Sequence, residues 1–143
     1  MLYRHILAAY DGSEPAERAL RQAIGLIGEG AGTKLSVVHA VSAAPRQVGG
    51  VAVAPPDAYF KWLEERNAAI ERRMNEAAGA LAFGEAVVLH GDPAHEIAAY
   101  AREYRVDLIV MGSRGLGKIR EMMFGSVSHH VVCHTSVPVL IVK

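Results

Sequence analysis

Five short apolar runs along the chain have the length and composition of buried β-strands. The runs cover His5 to Tyr10, Lys34 to Val41, Glu85 to His90, Asp107 to Met111 and Val137 to Val142. The turn-forming residues Asp11-Gly12-Ser13 follow the first run directly, which predicts where its strand ends. The hydrophobic pattern therefore predicts five strands.

Between the strands, apolar residues recur every three or four positions, which predicts four amphipathic helices. The helices are expected to start at Ser13, Asp57, Asp92 and Ser126. Ser13 and Asp92 are good N-cap residues, and Pro15 and Pro93 suit the first turn of a helix. Gly28 and Gly30 are expected to end the first helix.

A glycine- and proline-rich stretch separates the second strand from the long helix. It runs from Ser42 to Pro56 and contains Gly49-Gly50 and Pro55-Pro56. Both pairs disfavour regular structure, so this stretch is predicted to be a mobile loop.

The alternation of strands and helices predicts the fold class. Parallel neighbours need crossover connections, so the pattern predicts a mainly parallel sheet with helices on both faces. We therefore expect one domain over residues 1–143, of the doubly wound, Rossmann-like α/β class. In such sheets, ligands bind beyond the carboxyl ends of the strands, where the strand order reverses. The first strand, ending at Asp11, and the fourth, ending at Gly112, are expected to flank that point.

The last strand, Val137 to Val142, is apolar on both faces. As a bare sheet edge it would template aggregation unless something covers or pairs it. Pairing with the same strand of a second copy is the simplest solution, so we expect a homodimer through this strand.

Charge and cysteine content narrow the classes of function. Fifteen lysines and arginines balance fifteen acidic residues, which excludes a broad electrostatic surface for nucleic acid or an anionic membrane. No apolar run approaches the roughly 20 residues that span a bilayer. The single Cys133 cannot form an intramolecular disulfide, and the first residues do not resemble a signal peptide. A cytoplasmic location is expected.

The most informative stretch is a glycine-rich loop between the fourth strand and a short helix that runs from Ser126 to about His134. Glycines allow the close approach and the positive φ angles of a backbone anion site, and Gly112, Gly115 and Gly125 suit that role. The helix N-terminus adds free amides and a partial positive charge. We predict that the glycine-rich loop and this helix N-terminus bind phosphate groups, with the hydroxyls of Ser126 and Ser128 as further donors.

Two better-known phosphate motifs do not fit this loop. A Walker A motif needs Ser or Thr after Lys118 to hold Mg²⁺, but Ile119 stands there. A dinucleotide fingerprint needs a third glycine where the chain has Arg120. Both motifs are rejected.

Histidines near the C-terminus suggest a metal site as an alternative. His130 and His134 are one helical turn apart, close to His129 and Cys133. No carboxylate lies nearby in sequence, and Cys133 fits a small buried apolar role, so this interpretation is disfavoured. His39, inside an apolar strand, is interpreted as a core histidine with satisfied hydrogen bonds.

The glycine spacing resembles that of one known family. Gly112, two residues, Gly115, nine residues and then Gly125-Ser126 is the motif of the ATP-binding branch of the universal stress protein family. The resemblance extends over the whole chain, with similar opening, middle and closing motifs at Asp11-Gly12-Ser13, Gly91-Asp92-Pro93 and Val137 to Leu140. It implies a five-stranded parallel sheet of order 3-2-1-4-5 and a homodimer through the last strand.

The resemblance also implies roles for individual residues. Asp11 resembles the family's acid near the ribose and the phosphate-bound metal, which makes it the expected ligand of Mg²⁺. Ala9 and Ala40 correspond to backbone positions of the adenine pocket, and Tyr10 is bulkier than the family's frequent Thr or Val. The resemblance places Met111 and Gly112 under the ribose. It places the phosphate groups against Arg114, Gly115, Gly125, Ser126 and Val127.

Three hypotheses of function follow. In the first, ATP with Mg²⁺ binds, orders the loop from Gly112 to Gly125 and changes which unidentified protein partner the dimer contacts, without dedicated catalysis. In the second, the protein is a slow ATPase or phosphorylates itself on Ser126 or Ser128, with Asp11 as the one nearby acid. In the third, it is a nucleotide-free dimeric interaction protein.

Overall fold

Strands and helices alternate along the chain in the computed structural model, which describes residues 2–28, 32–42, 47–48, 50–52, 56–114 and 125–143. In chain order the elements are β1 (His5–Ala9), α1 (Glu14–Gly25), β2 (Lys34–Val41), β3 (Gln47–Val48), β4 (Val51–Ala52), α2 (Asp57–Gly79), β5 (Gly84–His90), α3 (Pro93–Glu103), β6 (Leu108–Gly112), α4 (Ser126–His134) and β7 (Val139–Val142).

Five of these strands form one parallel sheet of order β5-β2-β1-β6-β7. Numbered along the chain, the five long strands stand in the order 3-2-1-4-5, so the predicted doubly wound α/β fold is confirmed. β1 lies at the centre, with Ala8 paired to Val37 of β2 on one side and to Val110 of β6 on the other. The strand order therefore reverses between β1 and β6.

Two apolar cores, one on each face of the sheet, hold the helices in place. Residues of β1 alternate between the cores: Ile6 packs with α1 and α2, and Leu7 packs with α3 and α4. Met74 of α2 is fully buried in the first core, and Val131 of α4 in the second. This alternation follows from the period of two along a strand.

The predicted N-caps of α1 and α3 are confirmed. The Ser13 hydroxyl accepts a hydrogen bond from the Ala16 amide at 3.2 Å, and the Asp92 carboxylate accepts one from the His95 amide at 3.0 Å. α1 ends at Gly25 rather than at Gly28. Both caps fix a helix start directly after the carboxyl end of a strand.

The stretch from Ser42 to Pro56 departs from the prediction of no regular structure. Gln47 pairs with Ala52 and Val48 with Val51 in a short antiparallel hairpin, β3–β4. Gly50, with φ of +81°, supplies the turn conformation that residues with a β-carbon rarely adopt. Residues 43–46, 49 and 53–55 lie outside the described part of the chain.

The last strand forms one edge of the sheet. It begins at Val139 rather than at Val137, because Pro138 has no amide to donate to β6 and the Val137 amide donates to the Thr135 hydroxyl. Leu140 of β7 is 38% exposed. No helix of the described residues is long and apolar enough to cross a membrane.

Candidate functional site

A cavity of about 200 Å³ opens at the carboxyl ends of β1, β2 and β6, beside the N-terminal turns of α3 and α4. It lies where the strand order reverses, which is where the fold class predicts a ligand. Every described residue of the predicted site lines it: Ala9, Asp11, Ala40, Met111, Gly112, Arg114, Gly125, Ser126, Val127 and Ser128. Gly115, Lys118 and Arg120 lie outside the described residues.

Asp11 stands at the end of β1 in a tight turn. Its Oδ1 accepts a hydrogen bond from the Ser13 amide at 2.9 Å, and Gly12 between them has φ of +83°. The turn fixes the carboxylate beside the cavity. Oδ2 accepts no hydrogen bond from the described residues, so this oxygen is available to a cation or a hydroxyl group.

The N-terminus of α4 also borders the cavity, through Gly125, Ser126, Val127 and Ser128. Gly125 is the N-cap in an extended conformation, with φ of −69° and ψ of 165°, and it provides no side-chain cap. The amides of Ser126, Val127 and Ser128 belong to the first turn, where a helix offers them no partner. Together with the helix dipole, these amides form a site suited to an anion.

The prediction of positive φ angles at Gly112 and Gly125 is wrong. Among the described glycines, only Gly12, Gly50 and Gly91 have positive φ. Gly112 is required by close packing instead, because a β-carbon there would lie 2.8 Å from the carbonyl carbon of Pro15 in α1. Gly125 has the φ of an ordinary N-cap.

Ser128 also departs from its predicted role as a phosphate donor. It is 2% exposed, and its hydroxyl lies 3.1 Å from the Ser113 carbonyl oxygen and 3.0 Å from that of Gly125. The single hydroxyl proton is therefore engaged within the protein. The Gly125 amide also donates to the Ser113 carbonyl, so Ser128 and Gly125 together hold the start of α4 against the end of β6. Ser126, by contrast, is exposed.

Much of the remaining wall of the cavity is apolar. Ala9, Val38, Ile97 and Met111 line it, and the small side chains of Ala9 and Ala40 leave room for a flat ring. Ile97 and Pro93 come from α3 and were missed at the sequence level. The signal available was the Gly91-Asp92-Pro93 turn, which places the start of α3 at the same edge of the sheet.

His39 contributes to the cavity wall as well, although sequence reasoning assigned it only to the core. Its Nδ1 donates to the Tyr10 carbonyl oxygen at 3.0 Å, and its Nε2 lies 3.2 Å from the Asn67 side-chain oxygen. His39 is 5% exposed, so the prediction of a buried and satisfied histidine is confirmed. The contact with His39 also explains why α2 carries a polar residue, Asn67, on its inner face.

The bulk of Tyr10 is directed toward α1. Its hydroxyl donates to Glu17 at 2.8 Å, and burial together with this hydrogen bond raises the pKa of Tyr10 to about 12. Arg73 of α2 donates to the same carboxylate and lowers the pKa of Glu17. The tyrosine ring therefore packs with the first core.

The alternative metal site at the C-terminus finds no support. Among the described residues, no group of three or more histidine, cysteine or acidic side chains could hold an ion. His130 and His134 stack at 3.9 Å between ring centroids, and Cys133 Sγ lies 3.8 Å from His129 Nε2. Cys133 is exposed, so the prediction of a buried role is wrong. The helix buries Val131, and position 133 falls on the opposite side.

Comparison with known proteins agrees with this fold. The model of the universal stress protein family matches residues 2–143. The universal stress protein YxiE of Bacillus subtilis is 36% identical, with 99% of this chain and 100% of that protein covered.

Two solved structures of similar fold contain nucleotides. One is a universal stress protein in complex with cAMP, 25% identical, with a TM-score of 0.71 and coverage of 100% of this chain and 99% of that one. The other is a universal stress protein from Archaeoglobus fulgidus in complex with dAMP, 29% identical, with a TM-score of 0.62 and full coverage of both chains.

Proposed function

This chain belongs to the universal stress protein family, and we propose that it binds ATP with Mg²⁺ in the cavity at the carboxyl ends of β1, β2 and β6. The observation on which the proposal rests is the shape of that cavity: an apolar wall leads from the end of β2 to the unpaired amides of the first turn of α4. A purine ring needs the first feature and a phosphate chain needs the second.

The polar end of the cavity favours phosphate over a neutral group. The amides of Ser126 and Val127 donate without requiring charged side chains, which suits a chain whose net charge is zero. Arg114 also lines the cavity and is exposed, so its guanidinium adds a positive charge at the mouth. The two nucleotide complexes among the similar structures support an adenine nucleotide as the ligand class.

Asp11 is the residue that fits Mg²⁺. The ion prefers oxygen ligands and is commonly held by one or two carboxylates together with substrate phosphates and water. The free Oδ2 of Asp11, in the wall of the same cavity as the amides of α4, provides one such ligand. When bound, Mg²⁺ would neutralise part of the phosphate charge. The Asp11 carboxylate would orient the ion.

Regulated binding is favoured over hydrolysis. Efficient attack of water on a phosphate needs a positioned base, in addition to cations that stabilise the transferred group. The side chain of Asp11 is the one carboxylate among the described residues that line the cavity, and both ring nitrogens of His39 are engaged. We propose a nucleotide-dependent regulatory module in the cytoplasm that contacts a protein partner, with ATP hydrolysis or autophosphorylation at Ser126 as the lesser alternative.

The test places a negative charge where the phosphates would bind. Ser126→Asp puts a carboxylate at the first position of α4, where it stabilises a helix and therefore should preserve the fold. Calorimetric titration should show ATP binding to the wild type with an affinity at least about tenfold higher than to this variant. Ser136→Asp, an exposed serine beyond the end of α4, is the control and should bind like the wild type.

Adenosine distinguishes a phosphate effect from general damage to the cavity. It has no phosphate, so Ser126→Asp should leave its affinity unchanged. Equal ATP affinities in the wild type and in Ser126→Asp would refute the phosphate site at α4.

A further inference from the structure

A second cavity, of about 250 Å³, lies on the other side of the turn that ends β1. Tyr10 and Asp11 line both cavities, so the two share a wall. The remaining lining comes from Gly12 in the same turn and from Arg66, Ala69 and Ile70 of α2. None of the predicted ligand contacts except Asp11 belongs to this second cavity.

Arg66 is the cation of this cavity and Asp11 is its acidic residue. Two contacts hold the Arg66 side chain in place. Its Nη2 donates to the Asp11 carbonyl oxygen at 3.2 Å, and its guanidinium carbon lies 5.8 Å from the centre of the Trp62 ring. A cation over an aromatic face is held by the ring's electron density without being neutralised. The guanidinium is therefore positioned but keeps its charge.

The arginines of α1 and α2 differ in whether a carboxylate pairs with them. Arg73 on the same helix is bound to Glu17, and Arg18 and Arg21 on α1 lie within 4 Å of carboxylates. Among the described residues no carboxylate pairs with Arg66. A guanidinium that is held in the wall of a cavity, with no described carboxylate within ion-pair distance, is suited to bind an anion.

We propose that the second cavity is an anion-binding subsite with Arg66 as its cation, extending the nucleotide site past Asp11 and receiving a phosphate group. This inference rests on the proposed function where the phosphate belongs to the nucleotide. The same chemistry serves a separate inorganic phosphate, and the experiment distinguishes these two sources.

Trp62 reports the state of Arg66. It is the one tryptophan of the chain and is 54% exposed, next to Tyr59 and Phe60 in the first turns of α2. A phosphate that binds Arg66 draws the guanidinium away from the indole and changes the environment of the ring. The intrinsic fluorescence of Trp62 should therefore change saturably as the subsite fills.

The experiment compares Arg66→Met with Arg72→Met, which removes an exposed arginine elsewhere on α2. Calorimetry is performed with ATP and with adenosine, and Trp62 fluorescence is followed during titration with ATP and with inorganic phosphate. Arg66→Met should weaken ATP binding about tenfold or more, and Arg72→Met should not. Adenosine should bind all three proteins equally. Arg66→Lys keeps the charge without the planar fork and should give an intermediate affinity.

The outcomes separate this inference from the proposed function. If ATP binds the wild type and Arg66→Met with equal affinity, and Trp62 fluorescence does not respond to ATP or phosphate, the subsite is refuted and the nucleotide site stands. If ATP binds neither protein but inorganic phosphate changes Trp62 fluorescence only when Arg66 is present, the subsite is supported and the nucleotide site fails. If calorimetry shows no ATP binding to the wild type and neither ATP nor phosphate changes Trp62 fluorescence, both proposals are refuted.

Discussion

Gly112 packs so closely against Pro15 that a β-carbon at position 112 would lie 2.8 Å from both the carbonyl carbon and the Cβ of Pro15. The amide nitrogen of Ala16 would be 3.0 Å away. The contact joins the end of β6 to the first turn of α1, and both border the cavity. The glycine therefore sets how closely α1 approaches the carboxyl end of the sheet.

We predict that Gly112→Ala lowers the free energy of unfolding by about 1–3 kcal/mol, because the obstructing atoms are mainly backbone and α1 must shift. Urea denaturation monitored by circular dichroism measures the change. Gly79→Ala at the end of α2 is the control, since no described atom beyond its chain neighbours and the backbone of its own helix lies within 4 Å of the added carbon. It should be neutral or stabilising by about 0.5–1 kcal/mol. Equal stability of the wild type and Gly112→Ala would contradict the packing argument.

Ser128→Ala and Ser126→Ala should differ in their effect on the free energy of unfolding. Ser128→Ala removes the hydroxyl that donates to the Ser113 and Gly125 carbonyls. Both carbonyls retain a backbone donor, so the expected loss is about 1 kcal/mol in the free energy of unfolding. Ser126→Ala, at an exposed position, should stay within about 0.5 kcal/mol of the wild type. If Ser126→Ala loses more unfolding free energy than Ser128→Ala, the Ser128 hydroxyl does not hold the start of α4 in the way inferred from its contacts.

Glu85 should make stability depend on pH in the acidic range. Burial acts to raise its pKa, but hydrogen bonds from Ser36, Lys34 and Tyr100 outweigh it and lower the pKa to about 2. The ordinary value is 4.5, so the folded state favours the charged carboxylate. This stabilisation is complete above that value and is lost as the pH falls from there toward 2.

The prediction is tested with Glu85→Gln, whose unfolding free energy should fall less than that of the wild type between about pH 5 and about pH 3. The difference should be at most about 1 kcal/mol, because the Glu85 side chain is 38% exposed and solvent screens it. Glu64→Gln, an exposed carboxylate on α2, should follow the wild type. Parallel pH curves for all three proteins would show that the hydrogen bonds to Glu85 do not stabilise the fold.

The edge strand β7 should mediate a homodimer. Leu140 is exposed on this strand, and a charge there opposes strand pairing between copies. We expect the wild type to sediment as a dimer and Leu140→Lys as a monomer in analytical ultracentrifugation. Phe83→Lys, an exposed apolar residue beside the opposite edge strand β5, should remain dimeric. A monomeric wild type, or a dimeric Leu140→Lys, would rule out this interface.

The sequence predicts local features of this protein well because they depend on neighbours along the chain. Apolar runs predict the five long strands. Ser13 and Asp92 mark the starts of α1 and α3 through short-range hydrogen bonds. The predicted site residues meet at one cavity because parallel strands place their carboxyl ends at the same edge of the sheet.

Contacts between distant segments are not visible in the sequence pattern. Gly112 suits a phosphate loop by its residue type, but its constraint comes from Pro15 on another element. His39 and Ile97 join the cavity wall only after β2 and α3 pack beside β1. Cys133 has an apolar side chain, yet the short helix that contains it buries a different face.

The most direct test of the nucleotide site is a crystal structure of the protein grown with excess ATP and Mg²⁺. We expect adenine against the wall formed by Ala9 and Ala40, and phosphate oxygens within hydrogen-bond distance of the Ser126 and Val127 amides. A structure in which the nucleotide binds elsewhere, or in which the protein's own side chains fill this cavity, would contradict this expectation.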